Sequence, residues 1–189
     1  LPTNNAVAIR KKYTNPQKEC HPYTGSTVMD SGWMWTVPTY TDLAYGYVYS
    51  DKYIDKDDAE KALRTKINEW DAPALHVPFQ TGQRDRIAYK NVYAVGLSAG
   101  FLEPLEATNL SFTVDAITNL AQLMTETGAA EGGNYIADEM SPFLNKLFSM
   151  QVDEIVNFIY MHYRMSTKND TLFWKEIKEK SIPDQVFPM

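Results

Sequence analysis

The chain has 189 residues, of which 44% are hydrophobic and 22% are charged, values that are ordinary for a globular domain with a core of its own. Its formal net charge is −6 and it contains no run of basic residues, which argues against nucleic acid as a partner. No stretch reaches the ~18 consecutive apolar residues that a membrane-spanning helix needs, so we expect no membrane span.

Residues 1–31 are polar and rich in turn-forming residues, and we expect a surface loop there. Cys20 and His21 are adjacent, but no further histidine or cysteine lies at the spacing of a metal site, so we predict no bound metal. Cys20 is the single cysteine of the chain, which excludes an internal disulfide and suits a reducing compartment, for which we expect the cytoplasm.

Two aromatic strands are predicted next in the chain. Trp33, Trp35 and Val37 alternate with other residues, which predicts a strand that carries both indoles on one face. Residues 43–50 (LAYGYVYS) predict its antiparallel partner, with Gly46 at a bulge or a close contact. From composition alone, the two tryptophans would form the core face of a half-buried strand.

A helix is predicted over residues 57–70, with Asp57 or Asp58 as its N-cap. Its predicted buried stripe consists of Ala59, Leu63, Ile67 and Trp70. His76 stands isolated beside a proline and is predicted to be structural and not catalytic.

Residues 91–110 (NVYAVGLSAGFLEPLEATNL) form the most informative stretch. The first five residues predict a short buried strand, and a helix is expected to begin near Pro104. The small residues between them would let a ligand approach the backbone, close to the free N–H groups of the helix. The alternative is an ordinary strand-to-helix junction, in which Glu103 and Glu106 form a solvated acidic first turn.

Helices are predicted for most of the remaining chain. One begins after Asn109 and runs to about Glu126, and its apolar stripe is Leu110, Val114, Ile117, Leu120, Ala121 and Met124. A second runs over about residues 138–164 with a kink near Ser149, and a third is capped by Asp170. The pattern predicts a strand-rich part over residues 1–109 and a helical part over residues 110–189, so the fold class expected for this chain is α+β.

Several segments resemble the flavin-dependent tryptophan halogenases. Residues 96–108 (GLSAGFLEPLEAT) resemble the family's GxSxGFxEPLEST segment, and residues 32–38 (GWMWTVP) resemble its WxWxIP motif. Residues 162–174 (HYRMSTKNDTLFW) resemble a third segment, HYxxSxRxDxxFW. The resemblance implies an α/β parent protein. This chain would be part of its FAD-binding domain, of the flavin-monooxygenase type, joined to a mainly helical substrate-binding module.

The resemblance also implies roles for particular residues. Glu106 matches the family's active-site glutamate, and the amides of Thr108 and Asn109 match its halide donors. Trp33 and Trp35 match the pair that keeps organic substrate away from the flavin. The isoalloxazine ring would be lined by Gly96, Ser98, Ala99, Gly100, Phe101 and Pro104. The aromatic substrate would be held by His162, Tyr163, Phe173 and Trp174.

The implied reaction is the halogenation of an electron-rich, indole-like aromatic compound by hypohalous acid. Its cofactors would be FAD, delivered as FADH2 by a separate flavin reductase, and chloride, bromide or iodide. The resemblance is also compatible with a homo-oligomer. Two alternatives are a flavin monooxygenase that hydroxylates, against which the paired tryptophans argue, and a non-catalytic helical binding module derived from the family.

The chain departs from the family pattern at several positions. Ala107 replaces a serine, Asn109 replaces a glycine whose left-handed conformation asparagine can also adopt, and Asn169 replaces a glutamate. Without that carboxylate the ammonium group of free tryptophan lacks a charged partner, which argues against tryptophan as the substrate. The family's GxGxxG motif and catalytic lysine are not found, so we expect a fragment that neither binds flavin tightly nor halogenates alone.

Overall fold

The computed structural model describes residues 1–90, 92–126 and 140–179, and it divides the chain into two compact units. The sheet unit consists of residues 2–79 and 163–179, and the helix-pair unit consists of residues 80–162 within the described ranges. These units are defined by their packing. The predicted boundary between a flavin module and a substrate module after residue 109 stays a prediction.

The sheet unit is built on a five-stranded antiparallel sheet with the strand order β2-β3-β4-β1-β5. Its strands are β1 (Asn5–Lys12), β2 (Gly25–Met29), β3 (Gly32–Pro38), β4 (Asp42–Tyr49) and β5 (Ala74–Pro78). A short helix, α1 (Pro16–Glu19), lies in the connection between β1 and β2.

The predicted hairpin of two aromatic strands is confirmed. β3 pairs with β4 in an antiparallel register that sets Trp35 opposite Gly46. A Cβ atom added to Gly46 would lie 2.1 Å from ring carbons of Trp35, so the indole occupies the space above the glycine. The glycine therefore marks a close contact, as its position in the strand predicted.

The expectation of a surface loop over residues 1–31 is wrong for two segments. β1 lies inside the sheet between β4 and β5, where Val7 and Ile9 are buried, and β2 forms one edge. The apolar residues of β1 form a single run of four, Ala6 to Ile9, between polar neighbours, and a run this short does not distinguish a strand from a loop by periodicity. Cys20 does lie exposed, directly after α1.

Helix α2 (Lys56–Ile67) packs against the sheet through three of the four residues predicted for it. Ala59, Leu63 and Ile67 join the core that also contains the buried strand residues, whereas Trp70 is exposed because the helix has already ended. The predicted N-cap is also corrected: the carboxylate of Asp55 accepts a hydrogen bond from the Asp58 amide, at 2.9 Å.

His76, expected to be isolated, is bonded to α2. Its Nε2 atom lies 2.6 Å from Glu60 Oε2, and Arg64 Nε donates to Glu60 Oε1 at 2.8 Å. Arg64 also donates to the carbonyl oxygens of Glu69 and Ala72, which follow the helix. This network ties the end of α2 to edge strand β5, which agrees with a structural role for the histidine.

We expect this network to make stability depend on pH. Hydrogen bonds from Arg64, and then from His76, hold the pKa of Glu60 below its ordinary value. A carboxylate with a lowered pKa contributes stability above its unfolded pKa of about 4.3 and loses it as pH falls through the folded pKa. Urea unfolding at pH 7 and pH 3.5 should show a smaller acid loss in Glu60→Gln than in the unmodified chain. Equal losses in both proteins would contradict this, and the exposed Glu179→Gln serves as control.

Helix α5 (Leu172–Glu179) belongs to the sheet unit and is anchored by its tryptophan. Trp174 is buried, and its Nε1 donates to the carbonyl oxygen of Met29 at 2.7 Å. The predicted cap is wrong, because the helix begins at Leu172 and Asp170 lies two residues earlier, paired with Lys168.

The helix-pair unit contains α3 (Thr108–Glu126), most of α4 (Ser141–Met165) and four very short strands. These strands form two small antiparallel pairs: β6 (Gly82–Gln83) with β9 (Gly100–Phe101), and β7 (Ala88–Tyr89) with β8 (Val92–Tyr93). The buried strand predicted for residues 91–95 is thus reduced to β8, whose Val92 is exposed, and Asn91 lies outside the described residues.

The predicted apolar stripe of α3 lies on the wrong side of the helix. The buried residues of α3 are Thr108, Phe112, Ala116 and Leu123, whereas Leu110, Val114, Ile117 and Met124 are exposed. Hydrophobic periodicity locates an apolar face, but it cannot choose between two apolar faces of one helix. α4 runs unbroken through Ser149, and the start predicted for it near residue 138 lies outside the described residues.

Within the described ranges, no helix is long and apolar enough to cross a membrane. The same part of the chain contains no cluster of histidine, cysteine, aspartate or glutamate that could hold a metal ion.

Candidate functional site

The loop that carries the predicted flavin-binding residues is a tight turn held by its own serine. Gly96 has a φ of 62°, a left-handed conformation that glycine adopts without strain, and it opens a 3-10 turn over Gly96–Ser98. The Ser98 hydroxyl accepts from the Val95 amide at 3.0 Å and donates to the Val95 carbonyl oxygen at 2.8 Å. The turn is therefore fixed without a ligand.

A second contact holds the same loop from the side. The Arg84 amide donates to the Ala99 carbonyl oxygen at 2.8 Å, and the Arg84 side chain donates to the carbonyl oxygen of Ser98. A Cβ atom on Gly100 would lie 2.8 Å from the carbonyl oxygen of Gly82, so the glycine is required by this packing. The sequence analysis predicts no role for Arg84. The Gly-x-Arg pattern at residues 82–84 is the sequence feature that could have indicated one.

The turn that precedes α3 differs from the predicted helix start. Pro104 precedes a 3-10 turn over Leu105–Ala107, and α3 itself begins at Thr108. Glu106 and Ala107 have φ values of 56° and 52°, so two consecutive non-glycine residues adopt the left-handed conformation. Each such residue costs on the order of 1 kcal/mol, and strain of this kind occurs at ligand-binding and catalytic sites.

This strained turn presents the carboxylate of Glu106 to solvent. The side chain is exposed and forms no hydrogen bond or ion pair with another described residue. Glu103, three residues earlier, is fully buried. Burial raises the pKa of Tyr160, and the charge of Glu103 adds to that shift, which sets Glu103 within the interior of the helix-pair unit. Of the two carboxylates, only Glu106 is accessible to a ligand.

Replacing Ala107 by glycine should relieve part of the strain. Because glycine adopts the left-handed conformation freely but loses more entropy on folding, we expect the free energy of unfolding to rise by about 0.5–1 kcal/mol. Ala121→Gly, at an exposed position inside α3, is the control. There the replacement of alanine by glycine should lower the free energy of unfolding by about 1 kcal/mol. Urea titration of the two variants gives the signs, and a loss of stability in Ala107→Gly would contradict the observed turn.

The two predicted halide donors lie in the first turn of α3. The Thr108 amide donates to the Leu105 carbonyl oxygen, but its hydroxyl Oγ1 is buried and has no hydrogen-bond partner among the described residues. Asn109 does not adopt the left-handed conformation that was expected of it, since Glu106 and Ala107 take that role. Its Oδ1 accepts from the Leu102 amide at 3.4 Å.

These features fit a small anion. The first turn of a helix carries partial positive charge, and a buried hydroxyl without a partner can donate to a ligand. For the flavin, the residues present fit only the ring: four of the six residues over 96–101 have small side chains, and the chain contains no GxGxxG motif for the dinucleotide.

Trp33 and Trp35 belong to the sheet unit. Trp33 is buried, and its indole N–H has no hydrogen-bond partner within the described part of the chain. Trp35 is half-buried against Gly46. The buried indole of Trp33 leaves one donor available to a group outside the described residues.

The structure brings together three of the four predicted substrate-binding residues, but it buries them. In the sheet unit, the ring centroids of Tyr163, Phe173 and Trp174 lie 5.2–6.1 Å apart, and each side chain is at most 2% exposed. His162 lies in the helix-pair unit, with its Nδ1 atom 2.8 Å from the Phe158 carbonyl oxygen. The three buried rings can support the residues that line a binding site. In this conformation none of the three exposes a ring face that a ligand could contact.

Comparison with known proteins identifies a family for nearly the whole chain. The family model described as "Tryptophan halogenase" matches residues 1–187. The tryptophan 6-halogenase SttH of Streptomyces toxytricini is 31% identical over 97% of this chain and 34% of its own length. The 7-chloro-L-tryptophan 6-halogenase KtzR of Kutzneria is also 31% identical, over 97% of this chain and 35% of its own length.

Solved structures also match nearly the whole of this chain. The SttH crystal structure matches 98% of this chain and 35% of its own, with a TM-score of 0.88 and 30% identity. The apo structure of VirX1 matches 95% of this chain and 34% of its own, with a TM-score of 0.87 and 34% identity.

The chain thus spans about a third of the length of the relatives that it matches. The matches confirm the resemblance read from the three motifs and the expected α/β fold of the flavin halogenases. With the family model covering nearly every residue, the chain belongs to the tryptophan halogenase family.

Proposed function

We propose that the chain is the segment of an FADH2-dependent halogenase that supplies its halide-binding turn, its active-site carboxylate and much of its helical substrate module. The observation that carries this proposal is the pair of left-handed residues Glu106 and Ala107, directly before α3. Neither residue is a glycine, so the strain must be retained by the surrounding fold. It falls within the segment that resembles the family's GxSxGFxEPLEST motif.

Glu106 would act as the catalytic carboxylate. Its side chain is exposed and unpaired among the described residues, so it can reach both a halogenating species and an aromatic ring. In the proposed role the carboxylate positions the electrophilic halogen and accepts the ring proton as halogen replaces it. Its place in the turn directly before α3 keeps the carboxylate close to the proposed halide donors.

The halide would lie at the start of α3. The amides of Thr108 and Asn109 remain its proposed donors, with the Thr108 amide sharing its hydrogen between Leu105 and the ion. The unpartnered Thr108 hydroxyl offers a further donor that the sequence did not suggest. Backbone amides suit this task because they carry no proton to lose and are held in place by the helix.

The flavin ring would lie against Gly96, Ser98, Ala99, Gly100, Phe101 and Pro104. When bound, reduced FAD together with oxygen supplies the oxidant that converts halide into hypohalous acid. The bonds from Arg84 and Ser98 hold this loop in shape before any ligand arrives. Trp33 and Trp35 would separate the organic substrate from the flavin, and the rest of the FAD would be bound by polypeptide that relatives have outside the matched third.

The proposed acceptor is an electron-rich, indole-like compound and not free tryptophan. Asn169, which replaces the family's glutamate, is exposed and cannot offer a charge to an ammonium group. Tyr163, Phe173 and Trp174 are buried against one another, so they would shape the substrate wall from behind. His162 is the member of the set that is not buried.

The remaining parts of the proposal follow from the reaction. A separate flavin reductase would deliver FADH2, with chloride, bromide or iodide as the halide. We propose a cytoplasmic location, which suits an enzyme that receives reduced flavin from another protein, and a homo-oligomer as the working state of the parent.

The test uses the longest polypeptide encoded by the source gene, supplied with a flavin reductase, NADH, FAD, oxygen and bromide. Indole and tryptophan are supplied together as substrates, and mass spectrometry quantifies the brominated products. Brominated indole without brominated tryptophan is the expected result. Oxygenated product without any bromination would favour the hydroxylating alternative. No product from a polypeptide that retains flavin would favour a non-catalytic binding module.

A further inference from the structure

The loop over residues 166–171, which leads into α5, is bonded to the turn between β2 and β3. The Lys168 ammonium lies 3.0 Å from a carboxylate oxygen of Asp30 and 3.0 Å from one of Asp170. Beside this bridge, the Thr171 hydroxyl donates to the carbonyl oxygen of Asp30 at 2.7 Å. All four residues belong to the sheet unit, so these contacts lie within one compact body.

The ammonium at the centre of this bridge is better shielded than that of an ordinary surface lysine. The Lys168 side chain is 23% exposed, whereas those of Asp30 and Asp170 are 78% and 69% exposed. Hydrogen bonds to Asp170, and then to Asp30, raise the pKa of Lys168 above its ordinary value. Lys168 therefore stays charged at neutral pH, and its two partners make the bridge more than an isolated ion pair.

The bridge encloses Asn169, the position at which the family has a glutamate. The Asn169 side chain forms no hydrogen bond or ion pair with another described residue. Its place is therefore set by the backbone on either side, where Lys168 and Asp170 are joined. The Lys178 ammonium donates to the carbonyl oxygen of Lys168 at 2.7 Å, which holds the peptide group that leads into Asn169.

The same bridge relates this loop to the strand that carries the two tryptophans. Asp30 lies two residues before β3, and β3 contains Trp33 and Trp35. β3 is paired on both sides, with β2 and with β4, so it is a fixed element on which a loop can be anchored.

We infer that Lys168 is a positioning residue for the aromatic acceptor: by joining Asp30 to Asp170, it holds the loop of Asn169 in a fixed place relative to β3. The inference rests on the proposed function, which sets Asn169 beside the acceptor. Without the bridge, the loop would become ordered only when the acceptor binds, and the free energy of this ordering would be lost from binding. The effect should therefore appear in the affinity for the acceptor and not in the chemical step.

Lys168→Met in the parent polypeptide tests this, because methionine removes the charge and keeps an unbranched side chain. Calorimetric titration with indole should give a Kd about tenfold higher than that of the unmodified parent. Lys168→Arg keeps the charge, and arginine stands at this place in the family motif, so its Kd should stay within about threefold of the unmodified value. The kcat for bromination should change by less than about twofold in both variants.

Lys52→Met is the matched control, because Lys52 pairs with Glu176 of α5 in the same unit and does not contact the loop. Its indole Kd should equal that of the unmodified parent. Hydrogen exchange over residues 166–171 should be faster in Lys168→Met and unchanged in Lys52→Met. Asp30→Asn should also weaken indole binding, and it should cause no further loss when added to Lys168→Met.

An unchanged indole Kd in Lys168→Met would overturn the inference, as would an equal rise in Lys52→Met. A folded parent that binds no indole would overturn it too. If Lys168→Met does not fold, the Kd of Asp30→Asn decides in its place. A parent that binds indole but never brominates it would contradict the proposed function alone, because the Kd and the exchange rates do not depend on turnover.

Discussion

Glu106→Gln in the parent polypeptide should lower the rate of bromination by about 10²–10⁴-fold, the usual contribution of a positioned acid–base group. Glutamine keeps the size and the left-handed turn but removes the negative charge that would position an electrophilic halogen and accept the ring proton. Retention of flavin, read from its absorbance after gel filtration, should not change. The loss should therefore lie in kcat and not in cofactor binding.

Glu126→Gln is the matched control, because it removes one exposed carboxylate from the other end of α3. Its bromination rate should equal that of the unmodified parent. A Glu106→Gln variant that keeps more than about a tenth of the activity would remove Glu106 from the catalytic role proposed for it.

Gly32→Ala should destabilise the sheet unit by at least about 4 kcal/mol, which is most of the stability of an ordinary domain. Gly32 has a φ of 154°, and an added Cβ atom would lie 1.9 Å from the carbonyl oxygen of Val48 in the neighbouring strand. The position of the Cβ atom is fixed by the backbone of β3, and the oxygen belongs to the backbone of β4, so no side-chain rotation can relieve the clash. Circular dichroism during urea titration measures the loss.

The control for this prediction is a glycine in the adjacent strand. An added Cβ atom on Gly25 meets only the Thr36 side chain, at an ordinary 3.6 Å, so Gly25→Ala should change the free energy of unfolding by less than about 1 kcal/mol. Equal effects of the two substitutions would show that the hairpin is arranged differently from the structure described above.

The sequence predicted the elements whose residue pattern is clear along the chain. The buried side of α2 follows from helical spacing on one apolar face, and the hairpin of β3 and β4 follows from its aromatic strand residues, although β4 is buried on both faces. It failed on α3, where two apolar faces compete and only tertiary packing selects the inner one. It also missed β1, whose pattern spans too few residues to stand out.

The residues of the candidate site stay a prediction from the motif, and its backbone could not be predicted from the sequence. The structure sets Glu106 in the 3-10 turn directly before α3, and Thr108 and Asn109 in the first turn of that helix. A left-handed conformation is usually signalled by glycine or asparagine, so its occurrence at Glu106 and Ala107 could not be inferred from composition. The Arg84 side chain donates a hydrogen bond to the carbonyl oxygen of Ser98. Sequence spacing does not reveal a contact of this kind between two separate segments.

The most direct test of the account is to locate the halide. Crystals of the parent polypeptide grown with bromide, measured at the bromine absorption edge, show bound bromide as peaks in anomalous difference maps. The account predicts a peak in contact with the turn over residues 105–109, within reach of the Thr108 hydroxyl or the neighbouring amides and beside the Glu106 carboxylate. A parent that brominates indole but binds bromide only elsewhere would contradict the role proposed for this turn.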